Sequence, residues 1–242
     1  MIIQSLKKLA CFTACICFAS SAGVVSTVAS NVSTSTASIS TAPTTEPASE
    51  RVLLDGSNPY VLIKKVAQNT FIRLDNDQAK IKADLNVLKD VVREELMPYI
   101  NHKYSAYKVI GSYLKKTTEI EREVFAEVFR EYLVTSYAQV FTLYNNQDVE
   151  FFPEKSFVDK KIIAVNTRLK MPGRGDIDIA FKMRKNRKTN EWKAFDMVAE
   201  GVSLLDAKQA ELSGLIRQKG ITYVSELLKQ KSQQNIKQKL KK

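Results

Sequence analysis

Few residues of this chain have the type and spacing that catalysis or metal binding requires. His102 is the single histidine, and it lies shortly after Pro98 and beside Lys103. A metal centre or an activated nucleophile needs several converging side chains, and no second histidine and no nearby cysteine is available to His102. We therefore interpret His102 as a surface or capping residue.

Two carboxylates have a spacing that suits acid/base chemistry. Asp176 and Asp178 fall on the same side of a predicted strand. The simpler interpretation is that both are solvated and lie opposite Lys182 and Arg184. The chain also has no glycine-rich phosphate loop, no metalloprotease helix motif and no serine elbow. We therefore predict that the protein is not an enzyme and uses no catalytic residue, metal or cofactor.

A basic cluster raises the question of an anionic partner. The formal net charge of the 242 residues is +11, and five cations fall close together, at Lys182, Arg184, Lys185, Arg187 and Lys188. Such a cluster attracts nucleic acid, anionic lipid and acidic protein surfaces alike. A solvated hairpin is the simplest interpretation, and the export signal described below argues against a nucleic-acid partner.

The N-terminus has the pattern of a secretory signal. Lys7 and Lys8 precede an uncharged stretch, and small residues follow it, so residues 1–22 are predicted to be a signal peptide cleaved after residue 22 or as late as residue 29. All three cysteines lie inside this segment, which leaves the mature protein without a disulfide. Residues 23–54 are rich in Ser, Thr and Ala and are predicted to be a flexible leader.

Helical periodicity follows the leader. Asn58 is predicted to cap a helix that begins at Pro59, and a second helix is predicted from about Asp77 to a stop at Pro98. A shorter helix is expected within residues 101–116, the longest within 119–144, and two more on either side of Gly220. Residues 233–242 form a polar, basic tail that we expect to be frayed.

The longest predicted helix has a wide aromatic face. Six rings between residues 125 and 144 recur at helical spacing: Phe125, Phe129, Tyr132, Tyr137, Phe141 and Tyr144. Such a face either fills a core or lines a cavity. Spacing within one helix does not distinguish these alternatives.

After residue 146 the period of the apolar residues changes from 3.6 to 2, which indicates strands. In the clearest strand, residues 176–184, one face is apolar and consists of Ile177, Ile179, Phe181 and Met183. Short connections to strands near 149–152, 163–171 and 192–199 predict an antiparallel meander of about four strands. We therefore predict an α+β fold in which a curved antiparallel sheet packs against several helices.

From Asn58 to about Ser232 the chain resembles the MlaC family, also called the toluene-tolerance auxiliary family. The matching stretches are VREELMPY (92–99), YSAY (104–107), YL and SY (132–133 and 136–137), WK with Asp196 (192–193), and above all EGVS (200–203). The resemblance implies a lipid-binding domain over residues 55–232, in which a curved sheet, similar to NTF2-like and cystatin-like sheets, and the helices enclose an apolar cavity.

The resemblance also implies a function. Members of the family are periplasmic carriers that bind phospholipid acyl chains and maintain the lipid asymmetry of the outer membrane. The implied partners are phospholipid as cargo, an outer-membrane lipoprotein–porin complex, and an inner-membrane ABC transporter with its MCE-domain subunit. A monomer in the periplasm is expected.

The resemblance suggests roles for two site residues. Val202 would contribute to the lipid cavity, so Val202→Glu is expected to abolish lipid copurification, and Glu200 would be a structural or partner-contacting neighbour. The remaining assignments come from the apolar faces. We expect the cavity to be lined by Phe125, Phe129, Tyr132, Tyr137, Phe141, Ile177, Ile179, Phe181 and Met183, with Arg168 or Lys182 near the headgroup.

Two alternatives stay open at this point. The second-ranked interpretation is a small-molecule isomerase or dehydratase on a cone-shaped curved sheet, with Asp196 or Glu200 as a pocket acid of raised pKa. The chain is also compatible with a basic adaptor that recognises protein or polysaccharide without a cavity. Extractable lipid in the purified protein separates the carrier from both.

Overall fold

The structure is a computed structural model that describes residues 52–171, 173 and 175–238. The predicted signal peptide, the leader up to residue 51, and the last four residues of the basic tail lie outside the described residues. Among the helices that are described, none has the length and apolar content needed to cross a membrane.

Six α-helices are described. They are α1 (Pro59–Asn76), α2 (Gln78–Ala83), α3 (Val87–Val91), α4 (His102–Ile110), α5 (Glu119–Phe141) and α6 (Leu204–Ser232). The predicted cap of α1 is confirmed, because the Asn58 side chain accepts hydrogen bonds from the backbone N–H groups of Tyr60 and Val61. Thr118 and Glu121 form a capping box at the start of α5, and Ser203 caps α6.

The second predicted helix is interrupted, and the prediction of one continuous helix to Pro98 was wrong. Asp84 separates α2 from α3, and its Oδ1 accepts a hydrogen bond of 2.9 Å from the backbone N–H of Asn86. Such local side-chain bonding favours a turn over a continuing helix. After α3 the chain forms a π-helical turn, Val92–Leu96, and a 3₁₀ turn, Met97–Tyr99.

The sheet has five antiparallel strands in sequential order, one more than the predicted four. They are β1 (Val149–Phe151), β2 (Ile162–Leu169), β3 (Ile177–Lys185), β4 (Trp192–Ala199) and β5 (Val202–Ser203). The additional strand is only two residues long and follows a tight turn in which Glu200 and Gly201 both have positive φ. A two-residue strand has no detectable period in the sequence, which is why it was missed.

Helix α6 is the longest element, with 29 residues, and its direction changes at Gly220. The predicted interruption at Gly220 is confirmed, since φ is 82° and ψ is 165° there. The expectation of a frayed tail was wrong as far as Ile236, which is buried. Its backbone N–H donates to Asn86 Oδ1 at 3.1 Å, so this part of the tail packs beside α3.

Three apolar clusters hold these elements together. The first joins α4, α5 and α6 to Phe195 of β4, and the second joins α1, α3 and α5 to Ile236. The third packs the first turns of α1 against β2, β3 and Trp192 of β4. Between the second and third clusters the side chains leave space unfilled, and this space is the candidate site.

Candidate functional site

An apolar pocket of about 270 Å³ lies between α1, α5 and one face of the sheet, and part of it is open to solvent. Its lining comes from nearly every element around it. The lining residues are Ile63, Val66, Ala67, Thr70, Phe71, Leu96, Tyr99, Ile100, Tyr137, Val140, Phe141, Leu143, Tyr144, Gln147, Val149, Phe151, Thr167, Leu169, Met171, Ile179, Phe181, Ala194 and Met197.

The lining of this pocket is almost entirely apolar. None of the described residues that line the pocket carries a charge. Two of its few polar groups are already satisfied by the backbone: the Thr70 hydroxyl donates to the carbonyl of Val66 at 2.7 Å, and the Thr167 hydroxyl donates to that of Ile179 at 3.1 Å. A ligand that fills the pocket must therefore be apolar over most of its surface.

Local sequence patterns place this lining. Helix α1 directs residues spaced by three and four toward the pocket, from Ile63 to Phe71. Strands β2 and β3 contribute alternate residues, such as Thr167 and Leu169, because successive side chains of a strand point to opposite faces. The π-helical and 3₁₀ turns that follow α3 bring Leu96 and Tyr99 to the same wall.

A second, smaller pocket of about 50 Å³ lies behind the first. Tyr137 lines both pockets, so its ring forms part of the wall between them. Burial, together with the negative charge of Asp196 and the nearby Tyr132, raises the pKa of Tyr137 to about 12. The Tyr137 side chain is therefore neutral at physiological pH.

Asp196 is the most heavily engaged side chain beside the smaller pocket. Its carboxylate accepts hydrogen bonds from the Ser203 hydroxyl at 2.7 Å and from the backbone N–H of Leu205 at 3.0 Å. The Lys182 ammonium pairs with it at 2.9 Å. The Asp196 side chain is only 2% exposed, so it links β3, β4 and the start of α6 inside the protein.

The structure brings four of the ten apolar candidates into the larger pocket: Tyr137, Phe141, Ile179 and Phe181. Phe125 and Phe129 are instead buried in the cluster of α4, α5 and α6, while Tyr132 and Phe129 border the smaller pocket. The aromatic face of α5 is wide enough to face two neighbours at once, and only part of it turns toward the sheet.

The three remaining apolar candidates also lie outside the pocket lining. Ile177 and Met183 are buried at the two ends of β3, where packing fills the space around them. Val202 is 40% exposed on the short strand β5. The expectation that Val202 lines the pocket therefore does not agree with its position.

The predicted headgroup cations, Arg168 and Lys182, do not line the pocket. Each alternates along its strand with residues that do, which places it on the opposite face of the sheet. Arg168 forms two hydrogen bonds to Asp178, at 2.7 and 3.1 Å. Glu200 is exposed and accepts a 2.7 Å hydrogen bond from the backbone N–H of Asp178.

The polar face of β3, which was expected to be exposed to solvent, is partly covered. Lys182 contacts the buried Asp196, and the Arg184 guanidinium lies 4.5 Å from the Tyr104 ring centre.

The candidate acids of the enzyme alternative do not line the larger pocket. Asp196 belongs to the smaller one and Glu200 to the exposed turn before β5. His102 Nε2 lies 3.5 Å from a carboxylate oxygen of Glu127. Within the described part of the chain, no group of three or more His, Cys, Asp or Glu side chains is arranged to hold a metal ion.

Sequence reasoning missed most of the pocket wall. Helix α1, the turns after α3, and strands β1 and β4 all contribute lining that was not predicted. The apolar stripe of α1 was visible in the sequence, but a stripe that faces a cavity has the same spacing as one that faces a core. For the turns after α3, no periodic signal was available.

Comparisons with known proteins agree on the family. The family model described as MlaC protein matches residues 64–230. The intermembrane phospholipid transport system binding protein MlaC of Haemophilus influenzae is 36% identical over 187 residues, which cover 77% of this chain and 87% of that protein.

A solved structure shows the same fold. The phospholipid-binding protein from Ralstonia solanacearum, in complex with a phospholipid, matches with a TM-score of 0.63 at 17% identity. The match covers 74% of this chain and 97% of that one. With a family model that spans most of the described residues and a curated relative of this identity, the chain belongs to the MlaC family.

Proposed function

We propose that the protein is a phospholipid carrier that holds acyl chains in the pocket between α1, α5 and the sheet. The observation that carries the proposal is the absence of any charged side chain among the described residues lining this pocket. The H. influenzae relative is named as an intermembrane phospholipid transport binding protein, and the R. solanacearum structure holds a phospholipid. Both support the assignment.

Transfer energetics explain why such a carrier works with partners. Each methylene moved from water into an apolar site contributes about 0.8 kcal/mol, so two acyl chains with about thirty methylenes represent a gross term of roughly 25 kcal/mol. The net affinity is much smaller because ordering costs oppose it. In a bilayer the acyl chains are already shielded from water, so this term does not favour the carrier over the membrane. Exchange between carrier and membrane therefore requires a partner that provides a path for the lipid.

Family membership supports the proposed partners and location. The carrier would work in the periplasm, as a monomer, between an outer-membrane lipoprotein–porin complex and an inner-membrane ABC transporter with its MCE-domain subunit. It would catalyse no reaction. The cargo would be moved without a covalent step by this chain, which is consistent with the apolar lining of the pocket.

A matched pair of valine substitutions tests the site. Val140 lines the pocket on α5, whereas Val202 is 40% exposed on β5. Val140→Glu places an unpaired carboxylate among apolar groups, at a cost of several kcal/mol when a hydrocarbon chain excludes water. Mass spectrometry of organic extracts should find phospholipid reduced about tenfold or more in Val140→Glu and unchanged in Val202→Glu.

Circular dichroism on both variants verifies that they are folded. Normal phospholipid content in folded Val140→Glu would contradict the assignment of this pocket. Loss of phospholipid in Val202→Glu alone would move the site to β5. A wild-type protein without extractable lipid that converts a hydrophobic small molecule would favour the enzyme alternative.

A further inference from the structure

Two turns at one end of the sheet are strongly basic. One precedes β2 and the other joins β3 to β4, so residues 153–162 and 184–191 form this end. Together the two segments contain seven basic and three acidic residues. We call this surface the basic sheet end and define it by six of its cations: Lys155, Lys160, Lys161, Lys185, Arg187 and Lys188.

Strand pairing holds the two turns side by side. The backbone N–H of Lys185 donates to the carbonyl of Lys161 at 3.0 Å, and Ile162 is paired with Arg184 across β2 and β3. The second turn is closed by a hydrogen bond of 2.9 Å from the N–H of Asn190 to the carbonyl of Asn186. Cations that are more than twenty residues apart in sequence therefore form one surface.

The cations of the basic sheet end are free to meet an external anion. None of the six forms an ion pair with any residue that the structure describes. Five of them are exposed: Lys155, Lys160, Lys161, Arg187 and Lys188. Two cations at the opposite end of β2 differ. Arg168 and Lys170 are both paired with carboxylates.

Exposed apolar side chains lie among these cations. Val158, at the tip of the first turn, is 72% exposed, and Ile162, at the start of β2, is 48% exposed. The turn is anchored from below by Phe157, whose ring centre lies 6.1 Å from that of Trp192 and 6.1 Å from that of Tyr60. The packing of Phe157 thus holds Val158 at the surface.

We propose that the basic sheet end docks the protein on the surface of an anionic lipid bilayer, with Val158 entering the interfacial region and the lysines contacting headgroup phosphates. Lysine-rich clusters beside apolar side chains suit a lipid surface, where each cation adds to the attraction and its stem reaches apolar depth. Protein interfaces, in contrast, are depleted in lysine and enriched in aromatic residues. This docking goes beyond the carrier role and does not depend on what fills the pocket.

Vesicle cosedimentation of the purified protein tests the proposal. The vesicles consist of phosphatidylcholine alone or of phosphatidylcholine with phosphatidylglycerol. The double variant Lys160→Glu/Lys188→Glu is compared with the matched control Lys82→Glu/Lys115→Glu. The control changes the net charge equally at two exposed lysines, one in α2 and one in the short 3₁₀ helix Gly111–Lys116. We expect wild type and control to bind the anionic vesicles, and the test variant to bind them about tenfold or more weakly.

Salt and the apolar tip provide two further readouts. Binding by the wild type should fall steeply with ionic strength, and Val158→Asp should weaken it at constant salt. Equal binding of test variant and control, or equal binding to neutral and anionic vesicles, would overturn the proposal. Capture of an acidic protein by a wild type that ignores vesicles would overturn it in favour of a protein partner.

Extractable phospholipid, measured on the same preparations, separates this inference from the carrier role. We expect the test variant to retain its cargo while losing vesicle binding. A folded wild type that lacks cargo but binds anionic vesicles would support the docking surface and contradict the proposed function.

Discussion

Asp196 was considered above as a catalytic acid, but its contacts give it a structural role. Three groups from three elements converge on its carboxylate: the Lys182 ammonium, the Ser203 hydroxyl and the backbone N–H of Leu205. The last of these lies in the first turn of α6, where backbone donors have no partner within the helix. Asp196 thus joins the sheet to the start of the longest helix.

We expect Asp196→Ala to lower the free energy of unfolding by about 2 to 3 kcal/mol, because it leaves a helix N–H and a partly buried ammonium without their acceptor. Asp196→Asn keeps one acceptor oxygen and should cost less than Asp196→Ala. Urea denaturation of the three proteins measures the difference. Identical stability of wild type and Asp196→Ala would show that these contacts contribute nothing.

Individual pocket residues could be predicted only in part. The period of β3 correctly distinguished the apolar residues from the polar ones, yet only Ile179 and Phe181 of that face reach the pocket. Ile177 and Met183 share the face and are buried by packing. Which residues of a strand face a cavity depends on where helices pack against that strand. No pattern within the strand contains that information.

At the scale of elements, Gly220 determines the shape of α6. Its φ of 82° and ψ of 165° belong to a region that only glycine adopts readily, and helical segments continue on both sides of it. Leu212 and Leu228, one in each segment, are both buried in the same cluster with α4 and α5. The change of direction therefore allows one helix to cover that cluster along its length.

A pair of glycine substitutions in α6 should have opposite effects. Gly220→Ala meets no neighbouring atom within 4 Å but forces an alanine into a positive φ, so we expect a loss of about 1 to 3 kcal/mol in the free energy of unfolding. Gly214→Ala also meets open space, but in a regular helical turn, and should stabilise the protein by about 0.5 to 1 kcal/mol. Thermal unfolding measures both, and a stabilising Gly220→Ala would contradict the conformational argument.

The segment after α1 shows where element prediction failed. The apolar stripe from Ile81 to Leu96 was continuous in sequence, whereas the chain turns at Asp84 and forms a π-helical turn at Val92–Leu96. Both departures bring residues to the pocket wall or to the cluster beneath it. Here tertiary packing overrode a helical period that the sequence displays.

At the scale of the molecule, an unfilled apolar pocket couples cargo to stability. Lining atoms that face empty space lack the dispersion contacts of a packed interior, and an acyl chain restores them. A ligand that binds only the folded state stabilises it by mass action, by about 2.7 kcal/mol at one hundred times its Kd.

We therefore expect that removal of bound phospholipid lowers the unfolding temperature by about 5 to 10 °C, and that adding phospholipid back restores it. Differential scanning calorimetry measures both steps. Val140→Glu, whose pocket should reject the chains, provides the control and should show no shift on addition. An unfolding temperature that is independent of lipid in the wild type would contradict a site inside the fold.

The family was indicated by the matching sequence stretches. The sequence by itself also determined the order and type of most elements, the cap at Asn58 and the interruption at Gly220. These features depend on short-range causes, namely periodicity, hydrogen bonds over three residues and the backbone freedom of glycine. Only the tertiary structure decided which side chains line the pocket, that Val202 is exposed, and that Ile236 is buried. The rotation of each helix about its axis and the spacing between α1, α5 and the sheet result from packing between residues far apart in sequence, so no local pattern specifies them.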